Sequence, residues 1–242
     1  VAPEELDIII LGTSSPDRNY PSDACSVQAA IGAVNAVAFD ISAACAGFIF
    51  AMNIVEGFFK AGIYKTALII GAETLSKVTD WSDRGTCVLF GDGAGAAVLK
   101  AEETGIIDMM MGADGTKGDV LACTSRTVGN FLTGTKPELG FMTMDGQEVF
   151  KFAVRKVPES VLELLNRTGT KKEDIKYYVL HQANERIIEA AARRLKEPME
   201  KFPMTIGQFG NTSTASIPLL LDDMIQKDML KRGDKIIMSG FG

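Results

Sequence analysis

Cys45 lies in the string Ser42-Ala-Ala-Cys-Ala-Gly-Phe48, where a strand-like run ends and an apolar helical run begins. A thiol at a helix N-terminus faces unpaired N–H groups and the positive end of the macrodipole, which favours the thiolate. The small neighbours Ala43, Ala44, Ala46 and Gly47 leave room for a substrate. A nucleophile held on a strand-to-helix turn is a recurrent catalytic device. The competing reading is a buried structural cysteine, a common fate for this residue type. Cys25, Cys87 and Cys123 lack such a setting. Cys25 falls inside a helix, Cys87 opens an apolar strand and Cys123 lies in a polar loop, so all three read as structural.

Any imidazole chemistry must use His181, the only histidine, which begins His181-Gln-Ala-Asn184 directly after the apolar run ending at Leu180. The C-terminal end of a strand is where α/β folds place their sites. A solvated loop histidine is the alternative. Asn211, in Gly210-Asn-Thr-Ser-Thr-Ala-Ser216, precedes another helical run and could simply cap it. Gly91-Asp-Gly-Ala-Gly-Ala96 fits a loose dinucleotide pattern, but Ala97-Val-Leu-Lys100 continues it as strand rather than helix, so a phosphate site fails. Arg186, Arg193 and Arg194 share one face of the helix after His181. They read either as a solvated face, with Glu185 and Glu189 nearby, or as a landing site for an acidic partner.

The elements that position these residues alternate. Strands are expected at 7–11, 37–40, 66–71, 87–90, 96–100, 177–180 and 235–238, and helices at 24–31, 45–61, 147–166, 184–195 and 212–226. This order implies an α/β fold with mostly parallel pairing. The order also repeats. Laying Cys45 on Thr212, an offset of 167 (212 − 45), brings Leu68-Ile-Ile70 onto Lys235-Ile-Ile237, while 7–10 lies near 177–180 at an offset of 170 (177 − 7). A duplicated α/β unit is the natural reading. Under it, the Cys45 and Asn211 loops are near-equivalents that a pseudo-twofold brings to one place. The helix from Cys45 is apolar nearly all round and is expected to be buried on every side, which implies a sheet/helix/sheet core.

Bulk properties narrow the function classes. A net charge of −6 argues against general nucleic-acid binding. No pair among the four cysteines has C-x-x-C spacing, and with one histidine a zinc site is not expected. Low cysteine usage makes a reduced, cytoplasmic setting the default. The longest apolar run, 43–52, falls short of the roughly 20 residues a bilayer span takes.

Taken together the motifs resemble β-ketoacyl-acyl-carrier-protein synthase III, the initiating condensing enzyme of type II fatty acid synthesis. The strings are Ala43-Ala-Cys-Ala-Gly-Phe48, Asp83-Arg-Gly-Thr86, Phe90-Gly-Asp-Gly-Ala-Gly-Ala96, Met144-Asp-Gly-Gln-Glu-Val-Phe150, His181-Gln-Ala-Asn184 and Gly210-Asn-Thr-Ser213 through Pro218. The resemblance implies a thiolase-like α/β fold of two duplicated halves, 1–105 with the nucleophile and 106–242 with His and Asn, in a layered sheet/helix/sheet core. It implies that Cys45 takes an acyl group from acyl-CoA, and that His181 and Asn211 hold the thioester carbonyl of malonyl-acyl carrier protein during a decarboxylating Claisen condensation. No metal or redox cofactor is required. Tyr20 matches a position that reaches into the partner's acyl pocket in a family homodimer, and Phe241 one beside the catalytic cysteine. The basic helix face becomes a candidate dock for acyl carrier protein. Family members extend further at both ends, so the sequence reads as truncated at both ends. The alternatives are another condensing enzyme of the same fold, such as a plant-type polyketide synthase, and an inactive acyl-binding fragment.

Overall fold

The computed structural model describes residues 1–138 and 140–242. Strand β1 (Ile8–Gly12) is buried along its whole length, as its continuous Ile-Ile-Ile-Leu run requires of a strand covered on both faces. It pairs in parallel with β2 (Val37–Ile41) and β3 (Thr66–Glu73), and β3 pairs antiparallel with β4 (Gly93–Lys100). The sheet order is β2-β1-β3-β4. A second, parallel pair joins β7 (Ile175–Leu180) to β8 (Lys235–Ser239). Two short strands, β5 (Leu121–Cys123) and β6 (Met142–Met144), form a separate antiparallel ladder.

Helices fill three layers around these sheets. Between them lie α2 (Gly47–Lys60) and α6 (Ser216–Gln226). Phe48, Ala51 and Val55 of α2 and Ile217, Leu220 and Met224 of α6 meet Ile8, Ile10 and Ile69 from one sheet and Val179 from the other. The outer face of the larger sheet is covered by α1 (Asp23–Ile31), with Ala24 against Ile9, Leu11 and Ile70. Outside β7 and β8 lie α3 (Gly146–Thr168) and α4 (Glu185–Leu195), where Val161 and Leu165 pack with Ile188, Ala191 and Leu195. A single turn, α5 (Ile206–Phe209), precedes Asn211.

The repeat is present with one offset rather than two. In the first sheet Ile8 pairs with Ala67, and in the second Tyr177 pairs with Ile236, both 169 later (177 − 8, 236 − 67). The short 3₁₀ turns Ala44–Ala46 and Ser213–Ala215, which enter α2 and α6, differ by the same 169 (213 − 44). Cys45 is therefore equivalent to Thr214 rather than Thr212, and Asn211 to Ser42. Too few identical residues pinned the register in sequence, and strand-level spacing tolerates a slip of two.

Three further expectations change. Residues 87–90 are turn rather than strand, because the Asp83 carboxylate accepts from the Gly85 N–H (2.9 Å) and the Thr86 hydroxyl (2.6 Å) and folds the segment on itself. Only Phe90 reaches a ladder, as an isolated bridge to Asn211. Cys123 lies in β5, not a loop. Finally, α2 is not buried on every side: Ile49, Phe50 and Phe59 are only partly covered and line a cavity.

Candidate active site

Each repeat contributes one tight strand-to-helix turn, and the two turns interlock. Ala44 (φ +44°) and Ser213 (φ +47°) hold equivalent left-handed conformations. For a residue with a Cβ this costs on the order of 1 kcal/mol, so surrounding contacts must enforce it. The Thr214 hydroxyl donates to the Ala44 carbonyl (2.7 Å), tying the second turn to the first. Thr214 also sits where side chains have been dispensed with. A Cβ on Gly71 would lie 2.4 Å from its carbonyl oxygen, and one on Gly12 2.8 Å from its methyl group.

Cys45 stands in the first turn, 6% exposed. The segment ending in Gly242 runs against it so closely that a Cβ there would lie 2.5 Å from the Cys45 nitrogen. Burial pushes the thiol up to about 11; a hydrogen bond with Ser213 opposes the rise and the nearby Glu73 charge adds to it. The thiolate expected from the helix start is thus not the resting form, because desolvation outweighs the N-terminal field.

His181 follows β7 and is anchored by its N–H, which donates to the Ser239 carbonyl (2.8 Å) at the end of β8. Its Nδ1 lies 2.6 Å from the Ser216 hydroxyl at the start of α6. That oxygen also accepts a long bond from the Gln182 N–H (3.4 Å). The tautomer in which the Ser216 hydroxyl donates to Nδ1 carries the imidazole proton on Nε2. Nε2 is buried and, among the described residues, has no hydrogen-bond partner. Burial pushes the imidazole down to about 3, so the ring is neutral. Phe241 meets it edge-on with ring centres 5.3 Å apart. Gln182 locks the turn beneath: its amide donates to the Leu180 carbonyl (2.8 Å) and its oxygen accepts from the Thr205 N–H (3.0 Å).

Asn211 is held by both backbone groups, its N–H donating to the Leu89 carbonyl (2.9 Å) and its carbonyl accepting from the Gly91 N–H (3.0 Å). Its Oδ1 accepts from the Ser213 N–H (2.9 Å), so the carboxamide NH₂ is the end left to donate. The Gly91–Gly95 run serves this packing rather than a phosphate. A Cβ on Gly91 would meet the Phe209 carbonyl at 2.1 Å, and one on Gly95 the Pro218 Cβ at 2.8 Å.

Cys45, His181, Asn211 and Phe241 all line one cavity of about 2110 Å³, together with the 240–242 segment. A buried thiol and two N–H donors facing a shared, largely apolar space can form a thioester and stabilise negative charge on a carbonyl oxygen. The other predicted residues lie apart. Tyr20 is 85% exposed and does not line the cavity. Arg186, Arg193 and Arg194 are exposed on α4, whose N-terminal end lines the cavity through Asn184 and Ile187. Arg193 pairs with Glu189 (3.7 Å); among the described residues Arg186 and Arg194 have no ion-pair partner. Sequence reasoning missed Glu73, Gln182, Thr214 and Ser216. Only the repeat, correctly registered, could have flagged Thr214, as the counterpart of Cys45.

Comparison with known proteins places this arrangement. Two family models match: 3-oxoacyl-[acyl-carrier-protein] synthase III over residues 39–115 and its C-terminal part over 165–242. The β-ketoacyl-[acyl-carrier-protein] synthase III of Clostridium acetobutylicum is 52% identical, over 100% of this chain and 75% of that protein. The crystal structure of the corresponding synthase from Aquifex aeolicus superposes with a TM-score of 0.89 at 45% identity, over 98% of this chain and 74% of that one. A priming β-ketosynthase from the R1128 polyketide pathway superposes with a TM-score of 0.90 at 33% identity, over 100% of this chain and 73% of its own. With the two family models each covering one of the interlocked turns, and half of all residues shared with a relative over the whole of this chain, this chain belongs to the 3-oxoacyl-[acyl-carrier-protein] synthase III family.

Proposed function

We propose that the protein is an acyltransferase that initiates fatty acid synthesis, condensing an acyl-CoA primer with malonyl-acyl carrier protein. The convergence of Cys45, His181 and Asn211 on one cavity is the observation that carries this reading. In the first half-reaction the Cys45 sulfur attacks the acyl-CoA carbonyl; the C–S bond to CoA breaks, and the thiol proton goes to the departing CoA sulfur. In the second, malonyl-acyl carrier protein places its thioester carbonyl against His181 Nε2–H and the Asn211 amide. These neutral donors stabilise the enolate left when CO₂ departs. The enolate carbon then attacks the Cys45 thioester, expelling the sulfur and giving the β-ketoacyl carrier protein. A His181 that stays neutral keeps its Nε2 proton as a donor throughout. The 52% identity to a β-ketoacyl-[acyl-carrier-protein] synthase III, against 33% to the polyketide priming enzyme, favours the fatty-acid assignment.

Cys45→Ser tests the reading by intact mass. Incubated with acetyl-, butyryl- or isobutyryl-CoA, the parent gains one acyl group and the variant none, with the fold intact by circular dichroism. An adduct forming on the variant at the parental rate would remove Cys45 as the nucleophile.

A further inference from the structure

Glu73, the last residue of β3, is a carboxylate only 4% exposed and, among the described residues, without a cationic partner. Five donors converge on it instead. Oε2 accepts from the Ser15 hydroxyl (2.6 Å), the Ser14 N–H (3.0 Å) and, weakly, the Thr13 hydroxyl (3.4 Å), all in the loop after β1. Oε1 accepts from the Ser213 and Thr214 hydroxyls, both at 2.9 Å, in the turn of the second repeat. The Thr214 hydroxyl oxygen lies within hydrogen-bond distance of both Oε1 (2.9 Å) and the Ala44 carbonyl (2.7 Å), so the carboxylate reaches the Cys45 turn as well. Ser213 is also the residue whose N–H orients the Asn211 side chain.

We propose that Glu73 is a positioning residue that clamps the two left-handed turns together, and so sets the nucleophile of one repeat against the oxyanion donors of the other. The inference rests on the roles given above to Cys45, His181 and Asn211. A buried charge is retained because a carboxylate only accepts, and can take donors at both oxygens at once. Glutamine could accept at one oxygen only: an NH₂ turned to the 13–15 arm meets the Ser14 N–H, a donor that cannot reverse, and one turned to the 213–214 arm makes both hydroxyls give up donating to residue 73, so either way the charge-assisted clamp is weakened. Because Glu73 does not line the cavity, it acts through the turns rather than on substrate.

Both half-reactions of Glu73→Gln should therefore slow together. Expected is a fall of tenfold or more in the rate of Cys45 acylation by acetyl-CoA and in malonyl-carrier decarboxylation, with KM for acetyl-CoA within twofold of the parent. Glu73→Asp, which keeps the charge on a shorter stem, should recover part of both rates. Ser15→Ala removes one donor on the far side of the clamp, away from both turns. It gives a smaller loss of the same kind and stands in if Glu73→Gln does not fold. Parental rates in either folded variant, loss of one half-reaction alone, or a raised KM at unchanged kcat would overturn the proposal. The parental protein separates the two readings. If it forms no adduct at Cys45 the catalytic assignment fails; if it does and Glu73→Gln forms it equally fast, only the clamp fails.

Discussion

The chemistry of Cys45 is set by competition between two fields. The helix start favours the thiolate, but the closed pocket removes water from it and the thiol titrates at about 11. The ordinary cysteine value is 9.0, so between pH 9 and 11 the unfolded chain releases a proton that the folded one keeps, and stability falls as pH rises through that window. Reactivity follows the same titration. Alkylation of Cys45 by iodoacetamide should rise about tenfold per pH unit from pH 7 to 9, since the thiolate fraction does so below its pKa. A plateau near pH 7, read by mass spectrometry at Cys45 alone, would mean that the thiolate is held ready in the resting protein. The identity of this residue was legible in sequence from its turn and its small neighbours. Its protonation was not, because burial comes from the 213–215 turn and the 240–242 segment, both more than 150 residues away along the chain.

At the scale of elements, α4 carries two roles on two faces. Ile188, Ala191 and Leu195 pack it into one cluster with Tyr178 and Leu180 of β7, and its Asn184 cap, accepting from the Arg186 N–H (2.9 Å), starts it at the cavity. The outer face presents Arg186, Arg193 and Arg194. We expect this face to steer an acidic carrier protein, as exposed charges do over roughly one Debye length. Reversing all three charges to Glu should raise KM for malonyl-acyl carrier protein at least tenfold while sparing KM for acyl-CoA, and should flatten its salt dependence. An unchanged KM across 50 to 300 mM salt would dismiss the dock. The period of α4 was readable in sequence, as were β1, β3, β7 and β8, because continuous apolar runs and 3.6-residue spacing announce themselves locally. The 87–90 segment was misread for a matching reason: Val-Leu-Phe has strand propensity, and the Asp83 turn that overrides it is a polar contact no hydrophobic pattern records.

For the whole molecule, the repeat creates one site at the junction of two similar units, and the first sheet ends in β4, an edge strand that alternates half-buried with exposed. Tyr20 stands out from the loop after β1 with no core of its own. We propose that it crosses a dimer interface to the floor of the other subunit's acyl pocket. Replacing it with Ala would open space worth roughly 0.8 kcal/mol per added methylene, or about fourfold in preference. The ratio of kcat/KM for hexanoyl- against acetyl-CoA should rise accordingly in a protein still dimeric by light scattering. The same ratio as the parent, or a monomeric parent, would refute this. Architecture at this scale was legible in outline, as layers and as duplication, while the register of the repeat needed the strand pairing to fix it.

The hydrogen bond from Thr214 to Ala44 joins residues 170 apart in sequence. Closing a loop of that length earns nothing until its ends meet, and folds dominated by such contacts form slowly. Neither turn can hold its left-handed residue until the other repeat has arrived to brace it. A ribosome-bound chain that has emerged only through α2 would therefore carry the nucleophile on a relaxed turn. The site is therefore assembled late, when the second repeat docks, and until then Cys45 is an exposed thiol of ordinary acidity, open to any electrophile the finished pocket would exclude.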